Sequence, residues 1–333
     1  MVHIVQRLTT QDSIRSLTPT EVQLGCQILK TNLAWQPGDS IFITASPEML
    51  EKEAAIWFEA AKTLTHDVQL FVVEGMTHSG EEPPDEVVQQ CTQADISLLH
   101  TFYSLTHTQA GKAIVKSGRR GASLPGVSYE LMFRTLNADY SPIKSLGEKI
   151  KNRLENAQTM HITTQNGTDL SAKIRRPAIY NDGGIFTAGE LGNLPAGEVF
   201  FAPLLGSMNG TLVVDGSIAD DQLDTPIKIT VENGLATNFS GGLAASNLEK
   251  KLRAYGEDGL RAAEIGIGTN RDTSPTGDLI EAEKAYGTVH IAFGNSSAIG
   301  GEINVPIHLD GVVLYPRVEI DGKVILEKGE FYV

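Results

Sequence analysis

Between residues 39 and 121, short apolar runs alternate with stretches whose apolar positions recur at helical spacing. The predicted strands are 39–46, 68–73 and 96–102, and the predicted helices are 47–64 and 85–92. Strands that alternate with helices are typical of a parallel sheet covered by helices. We therefore predict an α/β fold here, as a scaffold domain over residues 1–138.

The pattern changes after an amphipathic helix predicted at residues 141–157. Short β-rich segments follow, separated by Asn-Gly and Asp-Gly pairs that favour hairpin turns. These pairs are Asn166-Gly167, Asn209-Gly210, Asn233-Gly234, Asp310-Gly311 and Asp321-Gly322. One further helix is predicted at residues 244–255. Residues 139–333 are therefore predicted to form a β-rich α+β domain.

Composition narrows the range of functions. With 41% hydrophobic and 20% charged residues, the 333-residue chain is typical of a soluble globular protein. No apolar run is long enough for a membrane helix and no secretory signal is visible, so we expect a cytoplasmic protein without a membrane partner. The net charge of −14 argues against nucleic acid as a partner.

Several common kinds of site are not indicated. The sequence has neither a Gly-x-Gly-x-x-Gly fingerprint nor a Walker lysine loop, so no dinucleotide or ATP site is predicted. Cys26 and Cys91 are too few for a disulfide framework or a thiolate metal site. Arg119-Arg120 and Arg175-Arg176 are expected to be solvated, although either pair could bind a substrate carboxylate.

Five polar residues of the C-terminal half stand among apolar or glycine neighbours, where we expect them to be buried. They are Glu198, Glu264, His290, His308 and Asp310. A buried charge needs a partner or a metal ion. The two polar residues of the 308–310 segment would project from the same face of a strand, and His290 would project from a second strand toward the same point. Glu264 is expected at the edge of a glycine-rich turn.

The number of metal ions is left open by these residues. Three carboxylates and two neutral imidazoles would balance two divalent ions and a bridging hydroxide, a site that polarises a carbonyl and supplies a nucleophile. With one ion, His290, His308 and Asp310 match the two-histidine, one-carboxylate face of non-haem iron oxygenases. Hydrolysis and oxygenation therefore both fit.

Four blocks resemble the thermophilic metallopeptidase family that includes aminopeptidase T, aminopeptidase S and the PepS-type enzymes. The blocks are Asn193-Leu-Pro-Ala-Gly-Glu-Val-Phe-Phe-Ala-Pro, Glu264-Ile-Gly-Ile-Gly-Thr-Asn, Gly287-Thr-Val-His-Ile-Ala-Phe-Gly-Asn and Pro306-Ile-His-Leu-Asp-Gly-Val. The resemblance covers about residues 140 to 333. It implies that the same five residues are the metal ligands and that Glu198 or Glu264 assists as a base.

The resemblance further implies an often dimeric, two-domain aminopeptidase-like hydrolase with two Zn, Co or Mn ions. In that reaction a metal-bound hydroxide attacks an amide carbonyl of a peptide or small amide. Two features depart from the family: Ser297 stands where those enzymes have a tyrosine, and this chain is shorter.

The same superfamily includes 2,5-dihydroxypyridine 5,6-dioxygenase, a shorter enzyme with one Fe(II). On the sequence we prefer hydrolysis, because Glu198 and Glu264 are both present. Ring-opening oxygenation of a dihydroxypyridine-like aromatic is the second hypothesis, and a non-enzymatic binding protein is the third.

Overall fold

The computed structural model describes residues 1–219, 221–275 and 277–333, without the side chains of residues 175–177. Its contacts divide the chain into two compact units. The first comprises Met1–Tyr140 with Gly184–Ala196, and the second comprises Ser141–Gly183 with Gly197–Val333. The short segment 184–196 thus belongs with the N-terminal residues, which no sequence pattern indicated. The domain boundary at residues 138/139 stays a prediction.

The helices and strands are numbered in chain order. The helices are α1 (Pro19–Gln27), α2 (Ala55–Lys62), α3 (Asp85–Gln93), α4 (Gln109–Lys116), α5 (Tyr129–Thr135), α6 (Tyr140–Glu155), α7 (Leu243–Arg253), α8 (Gly256–Gly259) and α9 (Leu279–Ala282). The strands are β1 (His3–Thr9), β2 (Ile41–Ala45), β3 (Val68–Glu74), β4 (Ile96–His100), β5 (Arg120–Ser123), β6 (Thr159–Thr163), β7 (Asp169–Asp182), β8 (Leu191–Asn193), β9 (Glu198–Pro203), β10 (Asn209–Val214), β11 (Ile227–Glu232), β12 (Leu235–Ser240), β13 (Ala262–Gly268), β14 (Val289–Gly294), β15 (His308–Val313), β16 (Arg317–Ile320), β17 (Lys323–Glu327) and β18 (Glu330–Phe331).

In the first unit a six-stranded sheet has the order β1-β3-β2-β4-β5-β8. Its strands are parallel from β3 to β8, and β1 runs antiparallel at the edge. The predicted strands are present, and α3 confirms the second predicted helix. The first predicted helix is shorter than expected, because two irregular turns, Pro47–Met49 and Leu50–Ala54, precede α2.

The second unit contains a twelve-stranded sheet whose main path is β15-β14-β13-β9-β7-β6-β16-β17-β18. Strand β10 leaves this path by pairing with β7 and leads to β11 and β12. The strand pairs of this sheet are antiparallel. The fold class is confirmed: an α/β part with a parallel sheet and a β-rich α+β part.

Side chains alternate between the two faces of the central strands of this second sheet. In β13, Ile265 and Ile267 enter a hydrophobic core that also contains Val199 and Phe201 of β9 and Ile291 of β14. The residues that alternate with these apolar ones project from the opposite face of the sheet, and they include Glu198, Glu264 and His290. The core therefore fixes the face on which the polar residues meet.

Three of the five Asn-Gly and Asp-Gly pairs form the predicted hairpin turns. They connect β6 to β7, β11 to β12, and β16 to β17. In the last two turns both residues have positive φ, 50° and 77° at Asn233 and Gly234 and 48° and 73° at Asp321 and Gly322. This is the backbone of a type I′ turn.

The prediction was wrong for Asn209-Gly210 and Asp310-Gly311, which lie inside strands β10 and β15. Glycine is required there for close approach rather than for a turn. A Cβ on Gly210 would lie 2.1 Å from the carbonyl oxygen of Asp169, and one on Gly311 would lie 2.7 Å from Cγ2 of Val214.

Candidate metal centre

The five predicted ligands lie on four adjacent strands of the second unit, in the order β15-β14-β13-β9. They are Glu198 in β9, Glu264 in β13, His290 in β14, and His308 and Asp310 in β15. The register places them on one face: Ala292 lies opposite both Glu264 and Asp310, and Gly266 lies opposite His290.

Imidazole nitrogens and carboxylate oxygens alternate across this cluster. The Nε2 atom of His290 lies 3.4 Å from Oε2 of Glu198 and 3.4 Å from Oε1 of Glu264. The Nε2 atom of His308 lies 3.5 Å from Oε2 of Glu264 and 3.4 Å from Oδ2 of Asp310. Glu264 therefore spans both histidines, and the structure brings all five residues together.

Burial differs among the five. Glu198, Glu264, His290 and Asp310 are buried as expected. His308 is not, because 34% of its side chain is exposed at the start of β15. One edge of the cluster is therefore open to solvent.

The prediction that Glu264 lies at the edge of a turn was wrong, since it lies within β13. The glycines that follow it in the sequence serve packing. A Cβ on Gly266 would lie 2.0 Å from both Cε1 and Nε2 of His290. The absence of a side chain at residue 266 thus lets the imidazole of His290 lie across β13, between the two glutamates.

The orientation of His308 is set by a hydrogen bond outside the cluster. Its Nδ1 donates to the carbonyl oxygen of Asn295 at 2.7 Å. The lone pair of the neutral imidazole is then on Nε2, the nitrogen that faces Asp310 and Glu264. A backbone carbonyl commonly orients a metal-binding histidine in this way.

Charge in the cluster shifts several pKa values. Against the effect of burial, Glu264 and Glu198 raise the pKa of His290 to about 9. Burial also disfavours a charged His308, yet Asp310 and Glu264 raise the pKa of this imidazole to about 10. Burial also disfavours the Asp310 carboxylate, yet His308 lowers its pKa to about 2. The protein alone thus holds positive charge between its carboxylates, where a cation would compete with protons.

Lys284, which the sequence analysis missed, lies beside this cluster. Its Nζ atom is 2.7 Å from Oε1 of Glu198 and 2.6 Å from Oε1 of Glu283, and the side chain is 2% exposed. Burial disfavours the ammonium, but these two carboxylates raise the pKa of Lys284 above its ordinary range. The segment Glu281-Ala-Glu-Lys-Ala has the composition of a solvated helix surface, so it gave no signal of a buried ion pair.

Two sets of three residues bring one possible ligand atom each within 4.8 Å of one another. The first set is Glu264, His308 and Asp310, and the second is Glu283, His290 and Asp310. Asp310 belongs to both. The first set differs from the two-histidine face considered from the sequence, because it contains Glu264 in place of His290.

The chemistry of these residues fits a divalent cation. Carboxylate oxygens and imidazole nitrogens are ligands for iron, manganese and zinc. Among the described residues, the buried atoms Oε2 of Glu198 and Nδ1 of His290 have no hydrogen-bond partner. Buried polar atoms are seldom left in this way, so the cluster has unused capacity to bind an ion.

A family model described as NicX, 2,5-dihydroxypyridine 5,6-dioxygenase, matches residues 29–333. The chain belongs to the NicX family. Membership indicates an enzyme, and it confirms the dioxygenase relationship inferred from the sequence. A search of curated proteins found no match to this NicX-family chain.

Two solved structures have a similar fold. The structure of 2,5-dihydroxypyridine dioxygenase from Pseudomonas putida KT2440 has a TM-score of 0.82 and 20% identity, covering 96% of this chain and 99% of that one. Wild-type AmpT from Thermus thermophilus has a TM-score of 0.67 and 16% identity, covering 94% and 99%. The resemblance to aminopeptidase T is therefore confirmed for the fold of this NicX-family chain.

Ser297 begins a short helical turn, Ser297–Ile299, just after β14. Its hydroxyl donates to Oδ1 of Asn295 at 2.8 Å, and its backbone N–H donates to the same atom. The serine thus shapes the segment that orients His308. Asn295 therefore accepts hydrogen bonds from Ser297 on its side-chain oxygen and from His308 on its backbone carbonyl oxygen.

Two arginine pairs were considered as carboxylate binders. Arg119 and Arg120 form ion pairs with Asp95 and Asp39 in the first unit. The side chains of Arg175-Arg176 lie outside the described residues. No helix in the described part of this NicX-family chain has the length and apolarity needed to cross a membrane.

Proposed function

We propose that this chain is a metal-dependent dioxygenase that opens the ring of 2,5-dihydroxypyridine or a closely related dihydroxylated nitrogen heterocycle. In this proposal one divalent ion is held by Glu264, His308 and Asp310. The family match over residues 29–333 supports the reaction class. It reverses the preference for hydrolysis that the sequence alone suggested.

The contacts of Lys284 support a centre with one ion rather than two. Lys284 already occupies Oε1 of Glu198 and Oε1 of Glu283 in a buried ion pair. A carboxylate that bridges two ions needs both of its oxygens, and a second cation would also be repelled by the buried ammonium. The charge balance drawn from the sequence omitted Lys284, which takes the role of that second cation.

Lys284 forms its ion pairs with Glu198 and Glu283, whereas the carboxylates of Glu264 and Asp310 face the two histidines. Two carboxylates and one imidazole suit iron(II) or manganese(II), and they leave positions for substrate. Such an ion, when bound, supplies the redox chemistry that couples dioxygen to an electron-rich ring. Both oxygen atoms then enter the ring-opened product, as the term dioxygenase requires.

The chain's own residues prepare the ring for this reaction. His290 lies beside the proposed ligands with Nε2 facing Glu198 and Glu264. Those carboxylates keep the imidazole protonated near neutral pH, so His290 is placed to donate a hydrogen bond to a ring hydroxyl oxygen. Burial raises the pKa of Glu198 to about 7, which suits this carboxylate to accept the hydroxyl proton. Burial of the two glutamates limits water at this point.

The test combines metal analysis with dioxygen consumption. We expect purified protein reconstituted anaerobically with iron(II) to hold one ion per chain and to consume one dioxygen per 2,5-dihydroxypyridine. Lys284→Met should then admit a second divalent ion, because Glu198 and Glu283 lose their counter-charge. Lys250→Met, on the exposed face of α7, is the matched control and should keep one ion.

A two-ion hydrolase is the second candidate, favoured by the second ligand set that shares Asp310. It requires two ions per wild-type chain and release of amino acids from peptides without dioxygen. That result would replace the dioxygenase proposal. Under either function the substrate is a small molecule or peptide, and the homodimer and cytoplasmic location stay predictions.

A further inference from the structure

An aromatic pair lies on the same sheet as the candidate metal centre. Tyr180 of β7 and Phe200 of β9 are cross-strand neighbours whose ring centroids are 5.3 Å apart, with planes only 19° from parallel. Tyr180 is 39% exposed. Phe200 is half-buried, although residues on either side of it in β9 are fully buried.

The strand register places this pair directly beside the centre. Phe200 lies opposite Gly266, which in turn lies opposite His290, so the three share one face in a single row. Neighbouring strands are about 4.8 Å apart. The imidazole of His290 leans into the space above Gly266, toward Phe200. Phe200 also stands two residues after Glu198, on the same side of β9.

Tyr180 extends the row toward the segment that follows β14. Its hydroxyl oxygen lies 3.9 Å from the position that a Cβ of Gly300 would occupy. That segment begins at Asn295, whose carbonyl accepts the hydrogen bond of the partly exposed His308. The aromatic rings and the open edge of the metal centre therefore border the same segment.

We propose that Phe200 and Tyr180 form a stacking platform for the planar ring of a heteroaromatic substrate. The inference rests on the proposed dioxygenase function and names the subsite that recognises the ring. Flat aromatic faces bind flat heterocycles by stacking, with little dependence on the ring substituents. The platform then holds the ring while its hydroxyl groups reach the centre beside Glu198 and His290.

The test measures equilibrium binding of 2,5-dihydroxypyridine to the iron(II)-loaded protein without dioxygen. We expect Tyr180→Leu and Phe200→Leu each to raise the dissociation constant about tenfold, or about 1.4 kcal/mol. Tyr180→Phe keeps the ring and should recover most of the affinity lost in the leucine variant. Tyr255→Leu is the matched control, because Tyr255 is similarly exposed, at 42%, but follows α7.

The possible results distinguish failure of the stacking platform from failure of the proposed dioxygenase function. If the wild-type protein neither binds 2,5-dihydroxypyridine nor consumes dioxygen with it, the dioxygenase proposal fails. If the wild type binds it and both leucine variants hold iron and bind equally well, the platform is wrong. A lower melting temperature with unchanged affinity would also overturn it, since the pair would then only stabilise the sheet. Should Phe200→Leu fail to fold, Tyr180→Leu and Tyr180→Phe decide alone.

Discussion

His100 and His290 are both fully buried, yet their surroundings move the two imidazole pKa values in opposite directions. Carboxylates surround His290 and raise its pKa, whereas burial lowers the pKa of His100 to about 4. Trp57 Nε1 donates to Nδ1 of His100, and Nε2 of His100 donates to the carbonyl oxygen of Val127. Both nitrogens of the neutral ring are thus satisfied.

This environment predicts a pH dependence of stability. The folded pKa of His100 lies below the ordinary value of 6.5, so the unfolded chain binds a proton more readily. Stability from neutral His100 is complete above pH 6.5 and is lost as pH falls toward about 4, by roughly 3 kcal/mol at most.

Urea unfolding measured from pH 7 to pH 4 checks this prediction. The free energy of unfolding of the wild type should fall more steeply than that of His100→Gln over this interval. His66→Gln is the matched control, since it removes an exposed imidazole. Equal slopes for the wild type and His100→Gln would contradict the assignment.

At the residue scale, the sequence revealed polar groups that stand in apolar surroundings and concealed those that do not. Glu198, Glu264 and His290 were found because their strand neighbours are apolar or glycine. Lys284 was missed because the charged residues just before it, Glu281 and Glu283, resemble a solvated surface. Its burial depends on a partner 86 positions away in the chain, which no local pattern reports.

Among the elements, β13 has a special role because its Gly266 leaves room for a side chain of the neighbouring strand β14. A Cβ on Gly266 would collide with the ring of His290. We therefore expect Gly266→Ala to lower the free energy of unfolding by roughly 1–3 kcal/mol through overpacking.

A double-mutant cycle tests the cause. In a His290→Ala background the ring is gone, so adding Gly266→Ala should cost much less than it does in the wild type. Urea unfolding of the four proteins gives the coupling between the two positions. Additive effects would mean that the alanine is not destabilising through the imidazole.

The turns show where element-scale prediction succeeds. An Asn-Gly or Asp-Gly pair predicts a hairpin when strands flank it closely, as at residues 233–234 and 321–322. The same pair within β15 serves contact between strands, because Val214 and Ile218 pack where a Cβ of Gly311 would be. Sequence gives the glycine but not its neighbours, so the two uses look alike.

For the whole molecule, all five candidate ligands and Lys284 belong to the second unit. An ion that binds only the folded state adds about 2.7 kcal/mol of stability when its free concentration is about 100 times the dissociation constant. Removing it with a chelator should lower the melting temperature by roughly 5–10 °C.

Hydrogen exchange locates this effect. Chelation should increase exchange in β9, β13, β14 and β15 and leave β2 and β4 of the first unit unchanged. Calorimetry and exchange on the same samples, with iron(II) restored as the control, make the check. Uniform change in both units would contradict a centre confined to the second.

Whole-molecule organisation was only partly predictable. The order of the four sequence blocks was enough to infer the family and the gathering of the ligands. The path of the twelve-stranded sheet was not, since pairings such as β16 with β6 join strands far apart in sequence. Strand β8 likewise joins β5 of the first unit across a long stretch of chain. Such non-local pairing depends on packing rather than on local pattern.

Among the five candidate ligands, His308 marks the edge at which the site meets solvent. Its imidazole is the candidate ligand that solvent reaches, while the other four are enclosed. Ions arriving from solution therefore meet this ring first, and departing ions leave it last. Small chelators that can reach one imidazole should remove the ion quickly. Bulky chelators should act more slowly, because they need local opening of β15, the strand that begins at His308.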